Sequence, residues 1–152
     1  MRLRFSRTAD YGLRAALEIA RAPGDALVTR RAISAATSAP SSVLAQSLAP
    51  LVRAGVLIAQ AGPKGGYRLA RSAAETTIYD IVAAIDGTDA EERCVLSERV
   101  CSWTGACPFH AFLIRAQDQF VESLRSTTLA DVLSAAGSAA VFDIMSGGQA
   151  PR

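Results

Sequence analysis

Apolar residues recur at helical spacing from the start of the chain: Ala9, Leu13, Ala16, Leu17 and Ala20, behind Ser6 as a cap. The spacing predicts a first helix ended by Pro23-Gly24-Asp25, then a short extended pair at Leu27-Val28. Thr29 is a good cap for a second helix over about 30–37, which Ser38-Ala39-Pro40-Ser41 interrupts. A third helix is expected over about 42–54, with Val43, Leu44, Leu48, Leu51 and Val52 inward and Gly55 as a left-handed stop. The pattern then changes to extended segments. Val56-Leu57-Ile58-Ala59 and Gly66-Tyr67-Arg68-Leu69 flank a turn at Gly62-Pro63-Lys64-Gly65, which reads as a β-hairpin. Three helices followed by a hairpin predict a mainly α fold of the winged helix-turn-helix class, with residues 1–72 as its DNA-binding domain.

Beyond the hairpin, Thr77-Ile78-Tyr79-Asp80 has the form of a capping box opening a helix that closes at Gly87. A polar loop over about 88–106 follows, and Pro108 suits the first position of a long helix over about 108–125. That helix carries an apolar stripe, Phe112, Leu113, Ala116, Phe120 and Leu124, wider than a small winged domain covers. A matching helix of a second subunit would cover it in a two-fold homodimer; packing back on the chain's own first helix is the alternative. Thr128-Leu129-Ala130-Asp131 repeats the capping pattern before a short last helix. Residues 73–136 thus form a loop and C-terminal dimerisation helix, and 137–152 a mobile tail.

Charge divides the chain in the same place. Residues 1–71 hold ten arginines and Lys64 against Asp10, Glu18 and Asp25, a surplus of eight positive charges. Residues 72–152 hold five arginines against eleven acids, a surplus of six negative charges. A basic half suits a polyanion, because phosphate contacts supply most non-specific affinity for nucleic acid. A chance imbalance of solvated charge is the plainer account. Ser41, Ser42 and Gln46 open the third helix, where side chains reach base edges. Arg2, Arg4, Arg7, Thr29, Arg30 and Arg53 are candidates for phosphate contacts, with Lys64 and Tyr67 at the wing tip. No nucleophile–base pairing or phosphate-binding glycine motif indicates an enzyme. With neither a signal peptide nor a membrane-length apolar run, the expected location is the cytoplasm.

The chain's three cysteines and its one histidine lie together as Cys94-x6-Cys101-x5-Cys107-Pro108-Phe109-His110. In a reducing compartment such a cluster points to metal or redox chemistry more than to a disulfide. Structural zinc favours pairs two to four residues apart, so the wider gaps fit a polynuclear iron–sulfur cluster better. A thiol switch and a zinc site remain alternatives, as does a small electron carrier. Cys107 as N-cap and His110 as third residue of the long helix would place both at its positive end.

The sequence resembles the IscR/NsrR-type (Rrf-two) family of winged-helix iron–sulfur transcriptional regulators. The likeness runs from Met1 to about Leu133. Its carriers are Met1-Arg2-Leu3, Asp10-Tyr11-Gly12-Leu13-Arg14, Gly62-Pro63-Lys64-Gly65-Gly66-Tyr67, Ile81-Val82-Ala83-Ala84-Ile85-Asp86-Gly87, the cysteine triad and Thr128-Leu129-Ala130-Asp131. The resemblance implies a homodimer binding double-stranded operator DNA, acting as a repressor that senses nitric oxide, redox or iron–sulfur status. It implies one [2Fe–2S] or [4Fe–4S] cluster per subunit, held by Cys94, Cys101 and Cys107. The fourth ligand it implies is His110, or Asp10 from the other subunit. Four features depart from the family: the six-residue first gap, Pro50 inside the third helix where it should kink it, Ala61 in place of a wing arginine, and Ala45 in place of a glutamate. DNA specificity therefore does not carry over with the fold.

Overall fold

The computed structural model describes residues 5–88 and 108–135. Arg2, Arg4, Cys94, Cys101, Cys107 and the tail from 137 lie outside the described residues. Within them the order is α1 (Arg7–Ala20), α2 (Arg30–Thr37), α3 (Ser41–Arg53), β1 (Leu57–Gln60), β2 (Gly66–Leu69), α4 (Ile78–Asp86), α5 (His110–Ser126) and α6 (Leu129–Ala135).

The caps expected from the sequence start these helices. Ser6 Oγ accepts the Ala9 N–H at 3.0 Å, and Thr29 Oγ1 accepts the Ala32 N–H at 3.2 Å. Thr77 and Asp80 close a reciprocal box, each side chain accepting the other's backbone N–H. The α2–α3 turn is made by Ser38 at φ 53°, a left-handed position that a non-glycine residue occupies at a cost. α3 ends in a Schellman motif: Val56 N–H donates to Leu51 O at 2.9 Å and Gly55 N–H to Val52 O at 3.1 Å. Gly55 takes φ 71° there, which glycine adopts without strain. Pro50 does not stop α3, which continues to Arg53.

α1 is the central strut. It packs on α2, α3, α4, α6 and β2. Its fully buried Ala9, Ala15 and Ala16 let those elements approach closely. Ile33, Leu44, Leu48, Leu51, Leu57, Ile81 and Leu129 fill one core around it, each burial stabilising the fold by about 1.5–3 kcal/mol. Ile81 of α4 and Leu129 of α6 thus share the core of the winged unit.

The wing pairs Leu57 with Leu69, Ile58 with Arg68, Ala59 with Tyr67 and Gln60 with Gly66. The strand begins one residue later than its apolar pattern suggests, because Val56 is taken by the α3 cap. Val28 adds a third rung, exchanging two 2.9 Å hydrogen bonds with Tyr67. A Cβ on Gly66 would lie 2.6 Å from Val28 O, so only glycine lets the wing approach this closely.

α5 starts at His110, two residues later than expected, with Phe109 and not Cys107 at the cap; His110 is its first residue, not its third. Pro108 stands in the preceding turn, since its fixed φ suits either position. No residue of α5 is buried. Phe5 stacks on Phe120 with centroids 6.1 Å apart, and Arg125 lies over the Tyr79 ring at 4.4 Å. The stripe is covered in part: Leu113, Phe120 and Leu124 are half-buried, Ala116 and Phe112 are exposed, the latter at 69%, and Phe109 just ahead of the helix is 59% exposed.

The chain then returns to α4, with Ile78 N–H donating to Thr127 O and Leu129 N–H to Thr76 O, both at 2.9 Å. Thr128 caps α6, its Oγ1 accepting the Asp131 N–H at 3.1 Å, and the Asp131 carboxylate reaches back to accept from Thr128 Oγ1 at 2.6 Å and its N–H at 2.8 Å. The Thr128 hydroxyl and then its backbone N–H hold the Asp131 carboxyl below its ordinary pKa. The folded value is the depressed one, so this cap contributes fully above the unfolded pKa of about 3.9 and is lost as pH falls through the folded value. A carbon-13 titration of Asp131 should show a midpoint below the ordinary carboxylate value, and Thr128→Val should raise it part of the way back, since the backbone N–H still donates.

Candidate nucleic-acid interface

The helical period of α3 sorts its side chains by role. Leu44, Ser47, Leu48 and Leu51 turn inward, and Ser41, Ser42 and Gln46 are exposed. The three residues singled out for base contacts therefore share the outer face and opening turns of one helix. Ala45 is half-buried and Ala49 exposed on the same helix, so this surface is small, uncharged and free of acids.

Ser47 was not among the candidates, although a polar residue at an inward position between Leu44 and Leu48 is a readable signal. It is fully buried, and its hydroxyl donates to Thr8 O of α1 at 2.9 Å and Val43 O at 3.0 Å. α3 is thereby pinned to the first turn of α1.

Over residues 5–72, ion pairs separate the cations into two sets. Arg14 pairs with Asp10 at 3.0 Å, Arg21 with Glu18 at 3.6 Å, Arg68 with Asp25 at 3.4 Å and Arg71 with Asp80 at 3.1 Å. Arg7, Arg30, Arg31, Arg53 and Lys64 are all exposed and have no acidic partner among the described residues. Arg30 and Arg31 occupy the first turn of α2, which contains no acid. Two cations there oppose the helix dipole, an arrangement that favours binding an anion over stabilising the helix. Arg31 was missed as a contact candidate; the inward period of Ile33 and Thr37 places residues 30 and 31 outside.

Lys64 lies in the wing turn as expected. Tyr67 does not. It lies on β2 with its ring against the core, and its hydroxyl accepts from an Arg30 Nη at 3.1 Å. Thr29 is exposed, with its side-chain oxygen engaged in the α2 cap.

Of the candidate cluster ligands, Asp10 and His110 are among the described residues. Asp10 faces Arg14 with both oxygens, receiving Nε at 3.1 Å and Nη2 at 3.0 Å. His110 opens α5 and is half-buried. The other end of the cysteine-bearing segment is tied to α1: Ser6 donates its hydroxyl and its N–H, the latter at 3.1 Å, to Asp86, the last residue of α4. That carboxylate also meets the positive end of α1.

A helix-turn-helix with an attached wing and a basic outer face defines a winged-helix DNA-binding protein. Comparison with known proteins agrees. A family model named Rrf2, "Iron-dependent Transcriptional regulator", matches residues 5–135, and the chain belongs to that family. Protein aau3 of Rhizobium meliloti is 30% identical over 134 residues, covering 88% of this chain and 86% of that protein. Among solved structures, CymR, the global cysteine regulator of B. subtilis, aligns with TM-score 0.71 and 27% identity over 88% of this chain and 98% of its own. T. potens IscR aligns with TM-score 0.73 and 26% identity over 91% and 92%. The chain is accordingly a DNA-binding transcriptional regulator and not an enzyme. Among the described residues no helix is long and apolar enough to cross a membrane.

Proposed function

We propose that this regulator is a homodimer that binds operator DNA through α3 and the wing and represses transcription according to the state of an iron–sulfur cluster. The observation that carries the DNA-binding geometry is the set of exposed cations on α2, α3 and the wing without an acidic partner. Ser41, Ser42 and Gln46 read bases, and Arg7, Thr29, Arg30, Arg31, Arg53 and Lys64 meet phosphates, joined by Arg2 and Arg4 from the sequence. The bare Phe109 and Phe112 support a second copy as cover for α5.

The donor set fits a cluster. Three thiolates from Cys94, Cys101 and Cys107 leave one position, for His110 or for Asp10 of the second subunit. Asp10 must first leave Arg14, a half-exposed pair that costs little to open. When bound, a cluster supplies a change of charge or ligation on meeting its signal. The chain does the rest. Its cysteine segment starts beside Asp86, which holds Ser6 of the α1 cap, and the next turn of α1 offers Thr8 O to Ser47 of α3. A change in that segment would thereby reach α3 through three hydrogen bonds and the start of α1.

A second reading, a cluster-free thiol switch or zinc regulator, is supported by the likeness to CymR, a cysteine regulator. Iron and acid-labile sulfide in protein purified without oxygen separate the two. For the DNA surface, the combined Arg31→Ala, Arg53→Ala and Lys64→Ala variant should flatten the slope of log affinity against log salt by about one unit per residue in each subunit. Fluorescence anisotropy on a short duplex measures this, and an unchanged slope rules the surface out.

A further inference from the structure

We propose that Tyr67 is a positioning residue for DNA binding: its hydroxyl presets the Arg30 guanidinium for a phosphate and does not itself contact DNA. The inference rests on the reading of Arg30 as a phosphate contact. Both ends of the Arg30–Tyr67 hydrogen bond are anchored. Tyr67 is fixed by two 2.9 Å backbone bonds to Val28 and by a ring packed against the core. Gly66 beside it permits that approach, since a side chain there would strike the Val28 backbone. The Arg30 backbone follows Thr29, the residue that caps α2 and adjoins Val28. The wing strand and the start of α2 therefore form one piece, and the 3.1 Å bond spans it.

An exposed arginine otherwise samples many rotamers, and binding must pay for the one that reaches the phosphate. No acidic side chain among the described residues draws Arg30 elsewhere. A guanidinium has five N–H donors. The tyrosine hydroxyl takes one, leaving the rest of the fork free for phosphate oxygens. A neutral acceptor suits this role, because it orients the cation without cancelling its charge.

The test uses Tyr67→Phe, Arg30→Ala and the double variant of the full chain. The probe is a mixed-sequence duplex of about 30 base pairs at roughly 50 mM salt. Tyr67→Phe should weaken binding about three- to tenfold with the salt slope unchanged, since the arginine still reaches its phosphate. Arg30→Ala should weaken binding further and lower the slope by about one unit per subunit. In the Arg30→Ala background, Tyr67→Phe should have no effect, and its thermal midpoint should match its parent's. Wild-type affinity in Tyr67→Phe, or the same loss with Arg30 absent, overturns the positioning role; the second result would mean that the hydroxyl meets DNA directly. Arg30→Ala with an unchanged slope overturns the phosphate contact on which the inference stands, and is distinguishable from both.

Discussion

Leu48→Ala is expected to destabilise the protein by about 3–5 kcal/mol, the range for a buried leucine whose cavity cannot collapse. Leu48 is 1% exposed on the inner face of α3, in a core that also holds residues of α1 and α4. Those helices cannot move in to fill the space. α3 is fixed at its end by the Schellman bonds from Gly55 and Val56 and at its middle by Ser47 on Thr8 O. Leu48→Met keeps most of the volume and should cost less than about 1.5 kcal/mol. Urea unfolding at one fixed protein concentration reads both, as a shift in midpoint with an unchanged slope. Equal, small losses for the two variants would show that α3 is not clamped as described.

Because the same helix carries Gln46 on its outer face, the destabilised variant should also lose operator affinity when warmed, well before global unfolding. A loss of affinity that tracks stability is a packing effect. A loss at constant stability, as expected for Tyr67→Phe, is an effect on how the surface side chains are positioned. Comparing the two variants separates scaffold from surface on one molecule.

The fold was legible where a local rule and the tertiary structure agree. Ser6, Thr29 and the Thr77–Asp80 box start their helices because a side-chain oxygen within three residues satisfies the orphan N–H groups, a purely local matter. Gly55 ends α3 for an equally local reason. The start of α5 was misplaced because its cap is no side chain at all: Phe109 has no capping oxygen, and a proline two residues ahead reads as a helix start. The exposure of the candidate residues was legible from the helical period, but their pairings were not. Tyr67 beside a glycine-rich turn reads as a wing-tip contact, and only the bridge to Val28 turns its hydroxyl toward Arg30, thirty-seven positions away. The Ser6–Asp86 link spans eighty positions and leaves no mark in the spacing of either residue. Long-range polar pairs of this kind are set by the approach of whole helices, which a period of three or four residues does not encode.

Cys101→Ala should remove the cluster and change affinity for an operator selected in vitro by about 5- to 150-fold, the usual range of an allosteric coupling of 1–3 kcal/mol. Cys101 is the middle of the three thiols, so its loss leaves Cys94 and Cys107 on either side of the gap and one thiolate fewer than the proposed cluster needs. The variant should lose visible absorbance together with iron and sulfide. Its sedimentation should match the wild type, because the apolar stripe of α5 around Phe112 is untouched. The salt slope should also stay constant, since the proposed phosphate contacts of Arg30, Arg31, Arg53 and Lys64 lie outside the cysteine segment. What changes is the placement of the two reading helices, which must sit about 34 Å apart to enter successive major grooves. The segment starts just after Asp86, and Asp86 holds the cap of the helix that pins Ser47, so on the proposed mechanism a change in the segment would alter that spacing without altering any contact residue. Wild-type protein that is colourless and iron-free when purified without oxygen, and whose operator affinity Cys101→Ala nonetheless changes, would remove the cluster from the mechanism and leave the thiol or zinc reading in its place.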